Sequence, residues 1–394
     1  MISVLLGLAL AVFLMVRCIQ RLVFEFGEQG RSFKRAASGS SSSWQFYPRS
    51  DLEAFLDEHS IKHESHTFTT STDEVSLHYR RIGNGPKVVY LCNGVGTNLN
   101  MWLPIFMRAV GAQKDFFSNV TIIAPAYRGL FGSNSDGPVC VTFDRCVADI
   151  SQVLRHAGLK RVSCMWGWSM GVQIILQYML QYPDAADKLF LLNPSTGNTL
   201  HSVLQPVVAL PSSLGALVSA GVTSACVGCR PLCETQVWNV IKAVVLSDFA
   251  FCVLTVSAFL GGFPPEQPSY FMAYLEDTFS SRYHTQHLLD LILGLDASLP
   301  AAALCLPHQS VVVTGLADIM TGVYHGEALS QSMPRHEYLC FAMGSHFLLM
   351  EFPCDVADLV LGLMSDELLQ AREKLQAKVK TKQSLIDRIK SAKR

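Results

Sequence analysis

From Pro86 onward, strand-length apolar runs alternate with stretches of helical periodicity. Lys87–Cys92 (KVVYLC), Val120–Ala124 (VTIIA), Arg161–Trp166 (RVSCMW) and Lys188–Leu192 (KLFLL) read as strands, and Ser310–Thr314 (SVVVT) and Glu337–Ala342 (EYLCFA) continue the series. Met101–Val110, Val141–His156 and Gly171–Tyr182 lie between them and read as helices. Runs that are apolar throughout, rather than alternating, belong to strands covered on both faces, so the pattern predicts an α/β fold around a mostly parallel sheet. Upstream, Asp51–His59 reads as a short helix, and the alternating segments His66–Thr70 and Val75–Arg81 read as an antiparallel opening pair.

Other stretches break this rhythm. Residues 2–16 (ISVLLGLALAVFLMV) carry no charge, and apolar character continues past Arg17 and Arg21. That length suits a membrane-spanning anchor over residues 1–24, with a cleaved signal peptide as the alternative. Arg17, Arg21, Arg31, Lys34 and Arg35 all follow the run, which orients the chain with its bulk in the cytoplasm, a single-pass membrane protein. Residues 25–50, including the AASGSSSS tract, read as a flexible linker. A body over residues 51–364 follows, interrupted at about 196–305 by an insertion predicted to form a helical cap or lid.

Within the insertion, residues 244–263 hold a single charge. A second span there would separate residues that act together below, so these are read as cap helices facing an acyl chain or one leaflet, or packed on their own core. Residues 365–394 read as a basic amphipathic helix, in which nine Lys/Arg oppose four Asp/Glu from Asp366 onward. Anionic lipid is its expected partner, a solvated or coiled-coil helix the alternative.

Composition sharpens the picture only in places. Hydrophobic residues make up 49% of the 394 and charged ones 16%, and the mean hydropathy of +0.27 points to some apolar surface meeting lipid. A formal net charge of −1 gives no basic field and argues against a nucleic-acid partner. Of the 12 cysteines, Cys92, Cys164, Cys305 and Cys340 lie in apolar runs and read as small core hydrophobes. Cys226, Cys229 and Cys233 have a C-x-x-C spacing with nothing to complete a zinc set.

The candidate chemistry centres on Gly167-Trp168-Ser169-Met170-Gly171, a G-x-S-x-G sequence between a strand and a helix. Such a turn thrusts the serine clear of the backbone, and the glycines Gly167 and Gly171 let neighbouring chain approach. A serine hydroxyl needs a base and an orienting acid. Asp318 follows the SVVVT strand and His346 follows the EYLCFA strand, so Ser169, Asp318 and His346 come in the nucleophile–acid–base order. An oxyanion needs two backbone donors. Met170 N–H is one, and Val95 N–H, after Gly94 in the loop Asn93-Gly94-Val95-Gly96, is the other.

With Tyr127-Arg128-Gly129, Gly132-Ser133, Tyr182-Pro183, the GLAD loop 315–318 and the GSH loop 344–346, the chain resembles the α/β-hydrolase fold superfamily over roughly residues 75 to 362. It is similar to the branch holding membrane-anchored monoacylglycerol lipases and esterases. Asn93, Ala126 and Trp168 stand where that branch commonly has His, Asp and His. The resemblance implies a membrane-tethered serine hydrolase that cleaves a lipid ester through an acyl-enzyme, with no metal or organic cofactor. Acyl transfer and thioester cleavage use the same three residues, and a silent membrane scaffold of the same fold is the reading from another class.

Overall fold

The computed structural model describes residues 51–365 apart from 135–136, 203–211, 236–237, 240–280 and 343, together with 367, 370, 371 and 373. The expected anchor 1–24, the linker 25–50, the apolar run 244–263 and nearly all of the basic tail 365–394 lie outside the described residues. No helix among the described residues is long and apolar enough to cross a membrane.

Eight strands form one sheet: β1 (His63–Thr69), β2 (Ser76–Ile82), β3 (Lys87–Cys92), β4 (Val120–Pro125), β5 (Val162–Trp168), β6 (Ala186–Leu192), β7 (Gln309–Gly315) and β8 (His336–Phe341). Their order is β1-β2-β4-β3-β5-β6-β7-β8. β2 pairs antiparallel with both β1 and β4, whereas β3 through β8 pair parallel. Every run read as a strand is one, with ends displaced by a few residues at most. Among the described residues, the helices of eight or more residues are α1 (Asp51–Glu58), α2 (Leu103–Ala112), α3 (Phe143–His156), α4 (Met170–Gln181), α5 (Ser212–Leu232), α6 (Arg282–Gly294), α7 (Gly322–Ser332) and α8 (Pro353–Ser365).

Alternate residues of the central strands enter two cores, as side chains on opposite faces of a strand must. Val89, Leu91, Trp166, Phe190 and Val313 join the core beneath α1, α2 and α8, whereas Tyr90, Met165, Leu189, Leu191 and Val312 join the core beneath α3, α4 and α7. Two lysines brace the first layer from below: Lys87 Nζ donates to the Met364 carbonyl at 2.7 Å and Lys188 Nζ to that of Leu363 at 2.8 Å. They meet the carbonyl end of α8, where cations are favoured.

Two expectations change. The helix expected over Met101–Val110 begins instead as a 3-10 turn, Leu99–Trp102, capped by the Asn98 side chain, which accepts from Asn100 N–H at 3.0 Å. Pro104 is then the second residue of α2, in the first turn where proline is tolerated. Cys92 and Cys164 are buried as expected, but Cys305 and Cys340 are exposed. β8 is the last strand of the sheet and has a neighbour on one side only, so its alternate side chains are not all covered.

Of the insertion, the described parts include the helices α5 and α6. α5 and α6 meet through Arg230, whose Nε donates to Asp290 at 2.8 Å. His287 of α6 holds the body: its Nδ1–H donates to the Gly129 carbonyl at 2.9 Å, and its Nε2 accepts from Val139 N–H at 3.3 Å. Burial pushes the His287 imidazole below its ordinary pKa, which keeps Nε2 free to accept. Cys226 and Cys229 on α5 and Cys233 in the turn just after it are free thiols.

Candidate active site

The register of the parallel strands brings their carboxyl ends level. Cys92 pairs with Gly167, Trp168 with Leu192, Leu192 with Val313 and Gly315 with Phe341. The residues just beyond these ends therefore gather along one edge of the sheet, the position of active sites in open α/β folds.

Ser169 stands between β5 and α4 with φ 57 and ψ −121, a conformation costly for any residue with a Cβ. Its neighbours hold it there. Ser169 N–H donates to the Leu192 carbonyl at 2.9 Å, and the Ser169 carbonyl accepts from Val172 N–H at 3.0 Å. A Cβ on Gly171 would lie 2.2 Å from the Cys92 carbonyl oxygen, and one on Gly167 would lie 2.9 Å from Val172 N. Both glycines are therefore required by packing.

The three expected residues meet. Ser169 Oγ–H donates to His346 Nε2 at 3.0 Å, and His346 Nδ1–H donates to Asp318 Oδ2 at 2.9 Å. All three are buried, at 4%, 7% and 1% exposure in that order of mention for Ser169, His346 and Asp318. The carboxylate on Nδ1 selects the tautomer that leaves Nε2 free to take a proton. Asp318 also accepts from Met320 N–H at 2.8 Å, Thr321 N–H at 2.9 Å, Thr321 Oγ at 2.8 Å and Asn193 Nδ2 at 2.7 Å. Burial by itself pushes the Asp318 carboxyl up, but the charge and hydrogen bond of His346 and the Thr321 donors outweigh it and hold the carboxyl down at about 2.

The acid and base loops pack glycine against glycine. A Cβ on Gly315 would meet the Gly344 carbonyl oxygen at 2.3 Å. Their backbones bond in turn: Leu316 N–H to the Phe341 carbonyl and Ala317 N–H to the Gly344 carbonyl, both at 2.9 Å. Glu351 accepts from Ser345 N–H at 2.7 Å and closes the base loop.

Of the expected oxyanion donors, Met170 follows the nucleophile directly and Val95 follows Gly94, which lies against it. Met170 opens α4, where first-turn N–H groups have no partner within the helix. Gly94 is against Ser169, whose Cβ is 3.4 Å from the position a Gly94 Cβ would take. The Gly94 carbonyl accepts from Thr97 Oγ at 2.9 Å, and in a planar trans peptide the Val95 N–H then points the opposite way. Asn93 anchors this loop: its side chain accepts from Trp102 Nε1 at 2.9 Å and its carbonyl accepts from Tyr127 Oη at 2.5 Å.

Trp168 has a definite place. It is 1% exposed, its ring centroid is 5.7 Å from that of His346, and its Nε1–H donates to the His346 carbonyl at 3.0 Å. Arg128 in the Tyr-Arg-Gly turn is structural. It is 1% exposed and forks onto Asp149 at 2.8 and 2.5 Å, with Asp73 2.7 Å away. Asn193 and Thr321 were not among the expected residues. For Asn193 a signal existed, since it follows the KLFLL strand as directly as Ser169 follows its own.

A family model described as alpha/beta hydrolase fold matches residues 87–219. A hydrolase from Pseudomonas aeruginosa PA01 superposes with TM-score 0.54 at 20% identity, covering 76% of this chain and 98% of its own. A thermophilic esterase from Thermogutta terrifontis gives TM-score 0.56 at 15% identity, covering 78% and 99%. A bacterial membrane phospholipase A gives 0.57 at 15%, covering 93% of this chain and 99% of that one. No curated protein sequence matches significantly. The chain has the α/β-hydrolase fold.

Proposed function

We propose that this protein is a serine hydrolase that cleaves the carboxylic ester of a lipid-like substrate while tethered to a membrane by residues 1–24. The observation that carries the reading is the buried relay of Ser169, His346 and Asp318, with contacts of 3.0 and 2.9 Å. In this reading Ser169 Oγ attacks the ester carbonyl as its proton passes to His346 Nε2. The carbonyl electrons move onto oxygen, where the N–H groups of Val95 and Met170 receive the charge. Collapse of the intermediate breaks the bond to the alcohol, which leaves with the proton from Nε2. Water then adds to the acyl-enzyme with the same base, releasing the acid and restoring Ser169. Asp318 stays ionised throughout and steadies the imidazolium.

A lipid-like substrate of the monoacylglycerol type is favoured by the surroundings of the acid loop, where Leu316, Met320 and Tyr324 are exposed at 48%, 40% and 38%. The charge-free run over residues 2–16 supports the tether, and the basic residues after it support a cytoplasmic catalytic domain. A fluorophosphonate probe on the full chain tests the chemistry: one adduct on Ser169 is expected, and a folded wild type that takes no label refutes the reading. A panel of lipid and short-chain esters, run against Ser169→Ala, then tests substrate class. Preference for short soluble esters would refute the lipid assignment. Protease protection of residue 50 in sealed vesicles with the cytoplasmic side inward tests topology, and digestion there would reverse it.

A further inference from the structure

Two side chains from neighbouring strand ends reach the base loop and hold consecutive carbonyls. Trp168, the last residue of β5, takes that of His346; Asn193, the first residue past β6, takes that of Ser345 at 3.2 Å. Asn193 does more, because the same amide nitrogen donates to Asp318 Oδ2 at 2.7 Å. The direction of the amide is determined by chemistry: turned over, its oxygen would face a carboxylate and a carbonyl, both acceptors.

We propose that Asn193 is a positioning residue that couples the acid loop to the base loop, and through that coupling sets the alignment of His346 between Asp318 and Ser169. The proposal rests on the hydrolase reading for its kinetic consequences.

Two local costs at Asn193 argue for such a role. Its φ is 43, in the left-handed region, and its Oδ1 is buried without a hydrogen-bond partner among the described residues. Neither benefits stability. Both are tolerated at a residue whose other side-chain atom bridges the two loops. The backbone is pinned as firmly: Asn193 N–H donates to the Val313 carbonyl at 2.7 Å, and its own carbonyl accepts from Thr321 Oγ at 3.2 Å. The carboxamide can therefore hold both loops at fixed separation. Being neutral, it donates to the carboxylate without competing for it as a second cation would.

The test uses the full chain carrying Asn193→Gly, which accepts the left-handed backbone, and Asn193→Asp, which keeps the shape but loses the donor. In both, kcat is expected to fall about tenfold or more, as for one lost hydrogen bond to a charged group, with KM changed less than about twofold. The acid limb of kcat/KM is expected to move up in pH by about half a unit or more, since a carboxylate with fewer donors binds the imidazolium more strongly. Active-site titration with the fluorophosphonate separates loss of folded protein from loss of rate. The downfield proton resonance of His346 Nδ1–H is a readout that needs no turnover, and it should shift or broaden in both variants. Wild-type kcat with an unmoved acid limb would overturn the proposal. So would a drop in kcat that merely follows the folded fraction. A wild type with no turnover, but with a resonance that responds to Asn193→Gly, would refute the hydrolase reading and leave the coupling standing.

Discussion

Replacing Trp168 by Phe removes one donor and one ring while leaving an aromatic in place. The lost contact is the 3.0 Å bond from Nε1 to the His346 carbonyl. That carbonyl is in a buried residue, and stranding a buried acceptor costs about 1–3 kcal/mol. The missing ring takes away packing against Phe347, whose centroid is 5.6 Å away, and adds about 1 kcal/mol for the space left behind. The expected loss of stability is therefore about 2–4 kcal/mol, read by urea unfolding of the full chain. The kinetic effect follows from the same bond. With its carbonyl released, His346 loses one of the backbone bonds that hold its loop, and a misplacement approaching 1 Å costs about a hundredfold in rate. A fall in kcat of about tenfold to a hundredfold is expected on an ester substrate, with KM little changed. A variant that turned over at the wild-type rate and unfolded within about 0.5 kcal/mol of wild type would refute this account of Trp168.

Other expectations follow from the same geometry. Ser169→Ala should abolish fluorophosphonate labelling and turnover with the fold retained, and Asp318→Asn should lower kcat by about 10⁴; activity surviving either change means that the residue is misassigned. Gly171→Ala drives a Cβ to 2.2 Å from the Cys92 oxygen and 2.7 Å from that of Asn93, both backbone, so it should cost about 3 kcal/mol or more and be visible as a lowered Tm. Arg128→Met leaves Asp149 without the cation it forks with and Asp73 with Arg145 alone, 3.4 Å away, and should destabilise by about 3–5 kcal/mol, again read by urea unfolding. Asp318, held at about 2, stays ionised through the ordinary carboxylate range, so its contribution to stability is complete above about pH 4 and is lost as pH falls toward 2. Log kcat/KM should then rise with unit slope on the acid side, and a slope of two would show the acid titrating together with the base.

Much of the site was legible because it obeys a local rule. An apolar run too short for a helix and too continuous for a surface strand marks a buried parallel strand, and the residue after it lies at the reactive edge. Ser169, Asp318 and His346 were found in that way, as were Gly167 and Gly171 around the nucleophile. The same rule applied to KLFLL points at Asn193. An asparagine after a strand is an ordinary turn residue, and only its contact with Asp318, 125 positions along the chain, sets it apart. The two exposed cysteines show the opposite limit: an apolar run does not reveal that β8, with Cys340, lies at the edge of the sheet, nor that Cys305 ends the 3-10 turn Ala301–Leu304 and is on no strand.

What the amino-acid order determined by itself is the alternation of strands and helices and the chemical types at the strand ends, since both follow from periodicity and turn chemistry within a few residues. The tertiary structure decided what those ends do to one another. Strand order puts β5 and β6 side by side and β7 and β8 beyond them, in the register that aligns their carboxyl ends. Trp168 thereby reaches a carbonyl 178 residues away, and the Gly315 and Gly344 loops close against each other with no room for a side chain. Such contacts depend on which strands are neighbours, and pairing between distant segments leaves no periodic trace in the sequence of either one.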